Sequence, residues 1–310
     1  MLLVVAESSG SSPGRQGYKM AIGENGELVG SIGGGVMEVN LVEESRLLLL
    51  DAGTLKRGDA LSSVVSEQVH RKDVANASGM ICSGKQTVIF KLLTTENLPA
   101  IESIITHLGK RTRGLLRMSL HDLNVMPPQG GTQNSDLTFE KISESDYSYT
   151  EQLGPKNDLY VIGGGHCALA LCELMSKMDF HISLFDDRPE LNTIEKNVYA
   201  DAIKIVDSYD RIGDHIPSGV NAFVVVMTLG YKTDEIVIRG LIHKEFKYFG
   251  VLGSKAKMST MFRSLREDGI PDNKLNYIHT PVGLPINSRT PEEIAVSIAA
   301  EIVSVKNGKS

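Results

Sequence analysis

The chain has 310 residues, enough for two domains of ordinary size, and its 41% hydrophobic and 23% charged residues are typical of a globular protein. The net charge is −6 and the sequence has no long basic run, so we do not expect a nucleic-acid-binding protein. No stretch predicts a membrane span or a signal peptide, so we expect a cytoplasmic protein. The three cysteines form no C-x-x-C pair, and no metal site is predicted.

The first half of the chain predicts a small α+β domain. We expect a strand at Leu2–Ala6, then a hairpin of Tyr18–Ile22 and Leu28–Val29, because Asn25-Gly26 supplies the positive φ angles of a tight turn. A helix from about Met37 to Ala52 follows. Further along the chain we predict strands and one helix in the order strand Leu61–Glu67, strand Gln86–Leu93, helix Leu98–Leu108, strand Leu115–Leu120 and strand Leu137–Ile142.

Two glycine-rich loops flank the predicted hairpin. Glu7–Gly17 is a small-residue loop, and Gly30–Glu38 enters the helix, where bare backbone N–H groups attract anions. Together they can wrap a phosphate or another anionic small molecule. The alternative that these glycines only form tight turns stays open. The candidate binding residues of this half are Ser11, Ser12, Arg15, Gly33, Gly34, Gly35 and Glu38.

The run Gly79–Gln86 nearly matches a Walker A loop, G-x-x-x-x-G-K-[ST]. Gln86 replaces the magnesium-binding hydroxyl, and Thr87–Phe90 continues as a strand, so no nucleoside triphosphatase is expected. Cys82 lies in this glycine-flanked run, and we include its thiol among the candidate ligand contacts. The alternative is a buried, inert cysteine.

The region from His121 to Asn157 is rich in proline, glycine and polar residues. We predict a last hairpin there, followed by a linker that ends near Pro155. The predicted domains are therefore residues 1–155 and 156–310.

The second half begins with a strand, a glycine run and a helix. Gly163, Gly165 and Ala168 fit the dinucleotide-type motif G-x-G-x-x-A, in which glycine lets a phosphate approach the backbone. The next predicted strand ends at Asp186, 23 residues after Gly163, close to the spacing of a ribose-binding acid. The alternative is a glycine turn that only joins strand to helix. The candidate binding residues here are Gly163, Gly165, His166, Asp186, Arg188, Gly253, Ser254 and Lys255.

Strands and helices alternate through the rest of this half. We predict strands at Lys204–Val206, Ala222–Met227 and Tyr248–Leu252, a helix at Glu235–His243, and a helix that opens at Lys255. This pattern predicts a Rossmann-like parallel sheet with helices on both faces and ligands beyond the carboxyl ends of the strands. Cofactor choice is ambiguous, because Asp186 favours an unphosphorylated ribose whereas Arg188 can accept a phosphate.

At this point the sequence resembles the XdhC/CoxI family, accessory proteins for xanthine dehydrogenase and related molybdenum hydroxylases. The motifs that carry the resemblance cover most of the chain in order: Gly10–Met20, Gly30–Glu38, Gly163–His166, Asp186–Glu190, Gly250–Lys255 and Thr290–Glu301. The sequence departs from the family pattern at Gly14, which separates Pro13 from Arg15, and at Ser83, which follows Cys82 where a glycine is usual.

The resemblance implies a non-catalytic chaperone that binds molybdenum cofactor, protects it during sulfuration and delivers it to a xanthine dehydrogenase-type hydroxylase. It also implies a sulfur-donating cysteine desulfurase as partner and a homodimer. From the residues alone, an NAD(P)-dependent oxidoreductase and a non-catalytic dinucleotide-binding regulator remain the alternatives, because the glycine motif and Asp186 serve a dinucleotide equally well.

Overall fold

The computed structural model describes residues 1–54, 63–70, 84–128, 136–143 and 146–308. The chain divides into two compact units, Met1–Gly154 and Pro155–Ser310. No helix within the described ranges is both long enough and apolar enough to cross a membrane. Cys82 and most of the Walker-like run lie outside the described residues.

In its described residues the N-terminal unit contains two antiparallel sheets. Its strands are β1 (Leu2–Gly10), β2 (Lys19–Ile22), β3 (Leu28–Gly30), β4 (Ser63–His70), β5 (Gly84–Lys91), β6 (Gly114–Ser119), β7 (Leu123–Met126), β8 (Leu137–Lys141) and β9 (Tyr147–Leu153), and its helices are α1 (Gly35–Thr54) and α2 (Leu98–Gly109). One sheet has the order β3-β2-β1-β5-β4 and the other the order β7-β6-β9-β8. This arrangement confirms the predicted α+β class.

Strand β1 lies at the centre of the first sheet, and its alternating side chains serve two cores. Leu3 and Val5 pack with α1, whereas Val4 and Ala6 pack with the second sheet. The strand also continues through Gly10, paired with β5 as far as Gly84, so the prediction that the loop begins at Glu7 was wrong. Small polar residues were interpreted as loop, but main-chain pairing with β5 overrides that preference.

The second sheet corrects the predicted linker. Residues Tyr147–Leu153 form β9, which lies between β6 and β8. Its side chains alternate, with Tyr147, Tyr149 and Leu153 in the core. The predicted linker thus contains a central strand, and the period of two in this short stretch was the missed signal.

The C-terminal unit is a doubly wound α/β domain, as predicted. Its strands are β10 (Asn157–Ile162), β11 (Phe180–Asp186), β12 (Ala202–Ile205), β13 (Gly219–Val226) and β14 (Phe246–Val251), and its helices are α3 (His166–Met175), α4 (Asn192–Glu195), α5 (Tyr231–Leu241), α6 (Lys255–Glu267), α7 (Asp272–Leu275) and α8 (Pro291–Asn307). All strand pairs are parallel, in the order β12-β11-β10-β13-β14.

Both faces of this sheet are covered. One core contains α5 and α6 side chains and the other contains α3 and α8 side chains, which explains the nearly continuous apolar sequences of β10 and β13. The strand order reverses between β10 and β13. The carboxyl ends of these two strands therefore form the topological switch point at which ligands bind in such folds.

Candidate functional site

The two glycine-rich loops of the N-terminal unit pack directly on each other. A Cβ atom at Gly14 would lie closer than 3.0 Å to the Ile32 carbonyl oxygen, and one at Gly33 would meet the backbone of Pro13 and Gly14 equally closely. Gly33 also has a φ of +129°, which favours glycine. These glycines are therefore required for backbone contact between the loops.

The Gln86 side chain of β5 forms hydrogen bonds to both loops. Its Oε1 accepts hydrogen bonds from Ser12 Oγ at 2.7 Å and from the Gly14 amide at 3.2 Å, while its Nε2 donates to the Ile32 carbonyl at 3.0 Å. Both Gln86 and Ser12 are buried. The Ser12 hydroxyl, a candidate ligand contact, donates to Gln86 within this packing, and its role in binding stays a prediction.

Glu38, one of the candidate binding residues, lies in the first turn of α1 and binds amides of the second glycine loop. Its Oε2 accepts hydrogen bonds from Ser31 Oγ at 2.7 Å and from the Ile32 and Gly34 amides at 2.9 Å each. Burial acts to raise the pKa of Glu38, but these hydrogen bonds and one from Gly33 outweigh it and hold the pKa below its ordinary value. The nest of amides is thus satisfied by a carboxylate of the chain.

The remaining predicted residues of this unit face outward. The side chains of Ser11 and Arg15 are exposed on the first loop, and Gly35 begins α1 with a φ of +71°. They lie around the two packed loops. Their roles in binding stay predictions.

In the C-terminal unit the glycine loop follows β10 at the switch point. Gly163 has a φ of +106°, and a Cβ atom there would approach the Met227 carbonyl closer than 3.0 Å, so only glycine fits beside the loop that follows β13. Its amide donates to the Phe185 carbonyl at 2.8 Å. This glycine therefore sets the backbone path that brings the loop into α3.

Asp186, at the end of β11, is fully buried and fixes this loop. Its Oδ2 accepts the Gly164 amide at 2.5 Å and Arg188 Nη2 at 2.8 Å, and its Oδ1 accepts the Arg188 amide at 2.8 Å and Nε at 2.9 Å. Burial acts to raise the pKa of Asp186, yet the Arg188 and Gly164 hydrogen bonds hold it below its ordinary value. Asp186 and Arg188 are thus brought together as one internal ion pair.

The start of α3 remains accessible. A Cβ atom at Gly165 would meet nothing within 4 Å, and the His166 side chain is exposed. Cys167 is partly buried, and burial followed by the charge of Glu292 raises the pKa of its thiol. The first turn of α3 therefore offers open backbone and an imidazole, but not a reactive thiolate.

Two further helix starts lie at the carboxyl ends of the neighbouring strands β13 and β14. Ser254 caps α6 by accepting the Lys257 amide at 3.3 Å, and Lys255 is exposed in the first turn. Gly253 precedes this cap. The structure thus places Gly253, Ser254 and Lys255 on the same sheet edge as Gly165 and His166.

A buried ion pair that the sequence analysis missed supports this edge. Asp234 accepts Lys257 Nζ at 2.8 Å, Thr228 Oγ1 at 2.5 Å and the Thr228 amide at 3.1 Å. Its carboxylate is 1% exposed. An acid in the first turn after Gly230 was the available signal, because such an acid complements the helix dipole. The pair joins the loop after β13 to α6.

A second missed cluster positions the loop before α8. Glu301 accepts the Tyr248 hydroxyl at 2.5 Å and the Gly283 amide at 2.8 Å, and His279 Nδ1 lies 3.2 Å from its other oxygen. Burial and then the nearby Glu301 raise the pKa of Tyr248. The predicted start of α8 is confirmed, since Thr290 Oγ1 accepts the Glu293 amide at 3.2 Å.

Two family models match this chain, one in each half of the sequence. The XdhC Rossmann domain matches residues 159–302, and the domain described as XdhC and CoxI family matches residues 1–57. The chain belongs to the XdhC and CoxI family. Within the ranges that the structure describes, this XdhC/CoxI chain has no group of three His, Cys, Asp or Glu side chains that could hold a metal ion.

The relatives of this XdhC/CoxI chain are distant. A probable xanthine dehydrogenase subunit of Bacillus subtilis (strain 168) is 22% identical over 324 residues, which cover 99% of this chain and 93% of the relative. The uncharacterized protein YqeB of Escherichia coli (strain K12) is 23% identical over 303 residues, and the match spans 98% of this chain but only 43% of YqeB. YqeB is thus more than twice as long as the matched region.

A solved structure shares the whole fold. The crystal structure of a xanthine dehydrogenase from Bacillus halodurans aligns with a TM-score of 0.69 at 22% identity, over 100% of this chain and 92% of that one. At this identity the likeness establishes the fold of the XdhC/CoxI chain and nothing about its ligands.

Proposed function

We propose that the chain is a non-catalytic maturation factor for molybdenum hydroxylases of the xanthine dehydrogenase type. It binds molybdenum cofactor, protects it while the terminal sulfido ligand is installed, and passes it to the apo-hydroxylase. Support comes from family membership at both ends of the chain and from the Bacillus subtilis relative, whose name links it to xanthine dehydrogenase. The observation that carries the proposal is the open helix start at the switch point, beside Gly165.

The residues at this edge fit an anionic, phosphate-bearing ligand. The space in front of Gly165 is open, and the adjacent first turn of α3 presents backbone N–H groups and the positive end of the helix dipole. His166 and Lys255 are exposed and can each donate to a phosphate oxygen. When bound, the cofactor supplies redox chemistry to the client enzyme. The residues of this chain only bind and orient it.

In the N-terminal unit the candidate contacts are side chains, because Glu38 already accepts the Ile32 and Gly34 amides. Arg15 and Ser11 are the candidate side chains there that are exposed. We propose that Arg15 pairs with a negative charge of the cofactor or of the client. A cysteine desulfurase as sulfur donor and a homodimeric state belong to the same proposal.

Cofactor retention tests this function. The full chain is purified anaerobically from cells that make molybdenum cofactor, and its molybdenum and pterin contents are measured. We expect close to one cofactor per chain in the wild type and a loss of about 10-fold in affinity for Lys255→Ala, the value of one charge-assisted hydrogen bond. Arg211→Ala is the control, because that arginine is 85% exposed and pairs with nearby Asp214.

A second measurement follows delivery. Apo-hydroxylase is incubated with isolated cofactor, with and without the purified chain, and the rate of activation is recorded. Faster activation with the wild type than with Lys255→Ala supports delivery. A wild type that neither retains cofactor nor changes the activation rate refutes the proposal.

The second candidate is an NAD(P)-dependent oxidoreductase, which the strand order and the G-x-G-x-x-A motif favour. A dinucleotide-binding regulator rests on the same observation. Titration with NADH or NADPH, followed by nicotinamide fluorescence, separates both from the cofactor carrier.

A further inference from the structure

The glycine motif and the acid at the end of β11 are spaced as in dinucleotide-binding domains, yet Asp186 is bound by Arg188 and by the Gly164 amide. We propose that Arg188 and helix α4 close the ribose subsite, so that the C-terminal unit rejects NAD and NADP and admits only a ligand without an adenosine ribose at that place. This inference rests on the proposed function and specifies the ligand class of the same site.

Asp186, the acid at the end of β11, already has a full set of partners within the chain. In dinucleotide-binding domains a carboxylate at this place accepts the ribose hydroxyls. Here Arg188 binds both Asp186 oxygens through Nε at 2.9 Å and Nη2 at 2.8 Å, and the Gly164 and Arg188 amides add a further donor to each oxygen. Asp186 is 0% exposed. A ribose would have to displace a two-point charge-assisted pair that is already complete.

Arg188 is the residue that could accept the phosphate of a phosphorylated ribose. NADP-binding domains place an arginine near the 2′-phosphate. The guanidinium of Arg188 is committed to Asp186 and lies 3.7 Å from Asp187 Oδ1. Two carboxylates therefore neutralise its charge and repel a phosphate. This arrangement resolves the ambiguity of the sequence, since neither form of the dinucleotide finds a free partner.

Helix α4 packs on Gly164, the middle residue of the glycine loop. The Thr193 hydroxyl donates to the Gly164 carbonyl at 2.5 Å. The Ile194 side chain lies so close that a Cβ atom at Gly164 would be 2.8 Å from its Cγ1. Both polar groups of Gly164 are thus bound within the chain, and an apolar side chain covers the residue.

Binding of dinucleotides to opened variants tests the closed subsite. NADH and NADPH are titrated into the full-length wild type, Arg188→Ala and Arg188→Ala/Ile194→Ala, with nicotinamide fluorescence as the readout. We expect a wild-type Kd weaker than about 1 mM for both, and at least a 10-fold gain for NADH but not NADPH in the double variant, because the freed Asp186 favours an unphosphorylated ribose. Arg211→Ala, which removes a more exposed arginine that also pairs with an aspartate, is the control, and circular dichroism confirms folding.

NADH and NADPH binding tests the closed subsite, whereas cofactor retention tests the proposed function. Micromolar binding of NADH or NADPH by the wild type overturns it, and so does a folded double variant that gains no NADH binding. Cofactor retention by the wild type is measured on the same preparations. If retention fails while the variant gains NADH binding, the closed subsite stands and the maturation function falls.

Discussion

Two glycine runs at helix starts, Gly33–Gly35 and Gly163–Gly165, look alike in sequence, but the carboxylate that binds each run comes from a different place in the fold. In the first run, Glu38 accepts the Gly34 amide, and Gly33 packs against the other loop. In the second run, Asp186 accepts the Gly164 amide while Gly165 faces open space. The acid lies in the helix that follows the first run, whereas it lies at the end of a neighbouring strand for the second run.

The comparison shows that a glycine run predicts backbone geometry more directly than it predicts a ligand. Positive φ values at Gly33 and Gly163, and close backbone neighbours at both, explain these glycines without any ligand. An acid four residues after Gly34 can satisfy the amides that a phosphate would otherwise bind. In both runs a carboxylate of the chain already binds one amide, so an anion bound there would use other donors.

The largest expected effect comes from substituting the glycines that have close backbone neighbours. Gly33→Ala and Gly163→Ala each place a Cβ atom closer than 3.0 Å to backbone atoms and force a left-handed φ on alanine. We expect each to lower the free energy of unfolding by about 4 kcal/mol or more. Thermal unfolding and soluble yield measure the loss. Equal, small effects of both substitutions would contradict the close backbone contacts.

Gln86→Ala is expected to cost somewhat less, about 3 kcal/mol. It leaves the Gly14 amide, the Ser12 hydroxyl and the Ile32 carbonyl without their buried partner. The matched control is Gln68→Ala, since Gln68 lies opposite Gln86 on β4 and hydrogen-bonds to nearby Ser66. Urea unfolding compares the two variants. A loss no larger than that of the control would show that Gln86 does not hold the loops together.

The parallel sheet could be predicted because each of its elements has a local signal. Apolar, β-branched strands alternate with helices, and Thr290-Pro291 marks the start of α8 through capping that depends only on neighbouring residues. The spacing of Gly163 and Asp186 likewise predicted that the loop and the acid lie together. Local patterns therefore specified the fold of this unit and the place of its candidate site.

The internal partners of the candidate residues could not be predicted, because they depend on tertiary contacts. Gln86 was interpreted only as a departure from a Walker motif, yet it bonds Gly14, which lies 72 residues away. The acid at Asp234 has a local signal at its helix start, but its pairing with Lys257, 23 residues away, has none. Strand β9 does have a local signal in its alternating side chains, but its place between β6 and β8 is set by pairing with them.

Glu38 is expected to contribute less to the free energy of unfolding than Gln86, and its contribution depends on pH. Because the folded pKa is lowered from its ordinary value of 4.5, the charged form stabilises the fold at all pH values above the unfolded pKa. We expect Glu38→Gln to lose about 1–2 kcal/mol at pH 7. The stabilisation is lost as pH falls through the folded pKa, so the wild-type advantage should shrink below about pH 4.5.

Denaturant unfolding of the wild type and Glu38→Gln between pH 7 and pH 3 measures this gap. Glu43→Gln, on the exposed side of the same helix, is the control and should show little change. A gap that stays constant or widens on acidification would mean that the carboxylate is not the acceptor that fixes the Gly34 amide.

The smallest effect on stability is expected at Gly165. Its φ of −70° suits alanine, and a Cβ atom there meets nothing, so Gly165→Ala should change the free energy of unfolding by less than about 1 kcal/mol. The same methyl group would enter the space proposed for the cofactor phosphate. Retention of molybdenum, measured on the purified variant, should therefore fall by about 10-fold or more, an effect of roughly 1.4 kcal/mol.

Gly34→Ala is the matched comparison, because a Cβ atom at Gly34 also meets nothing within 4 Å while its amide is already bound by Glu38. With a φ of +74° it should cost about 1 kcal/mol of stability and leave molybdenum retention unchanged. Gly165→Ala is thus expected to reduce molybdenum retention with little loss of stability, and Gly34→Ala to reduce stability without loss of retention. If Gly34→Ala lost the cofactor and Gly165→Ala kept it, the ligand would lie at the N-terminal loops, and Glu38 would have to move aside to admit it.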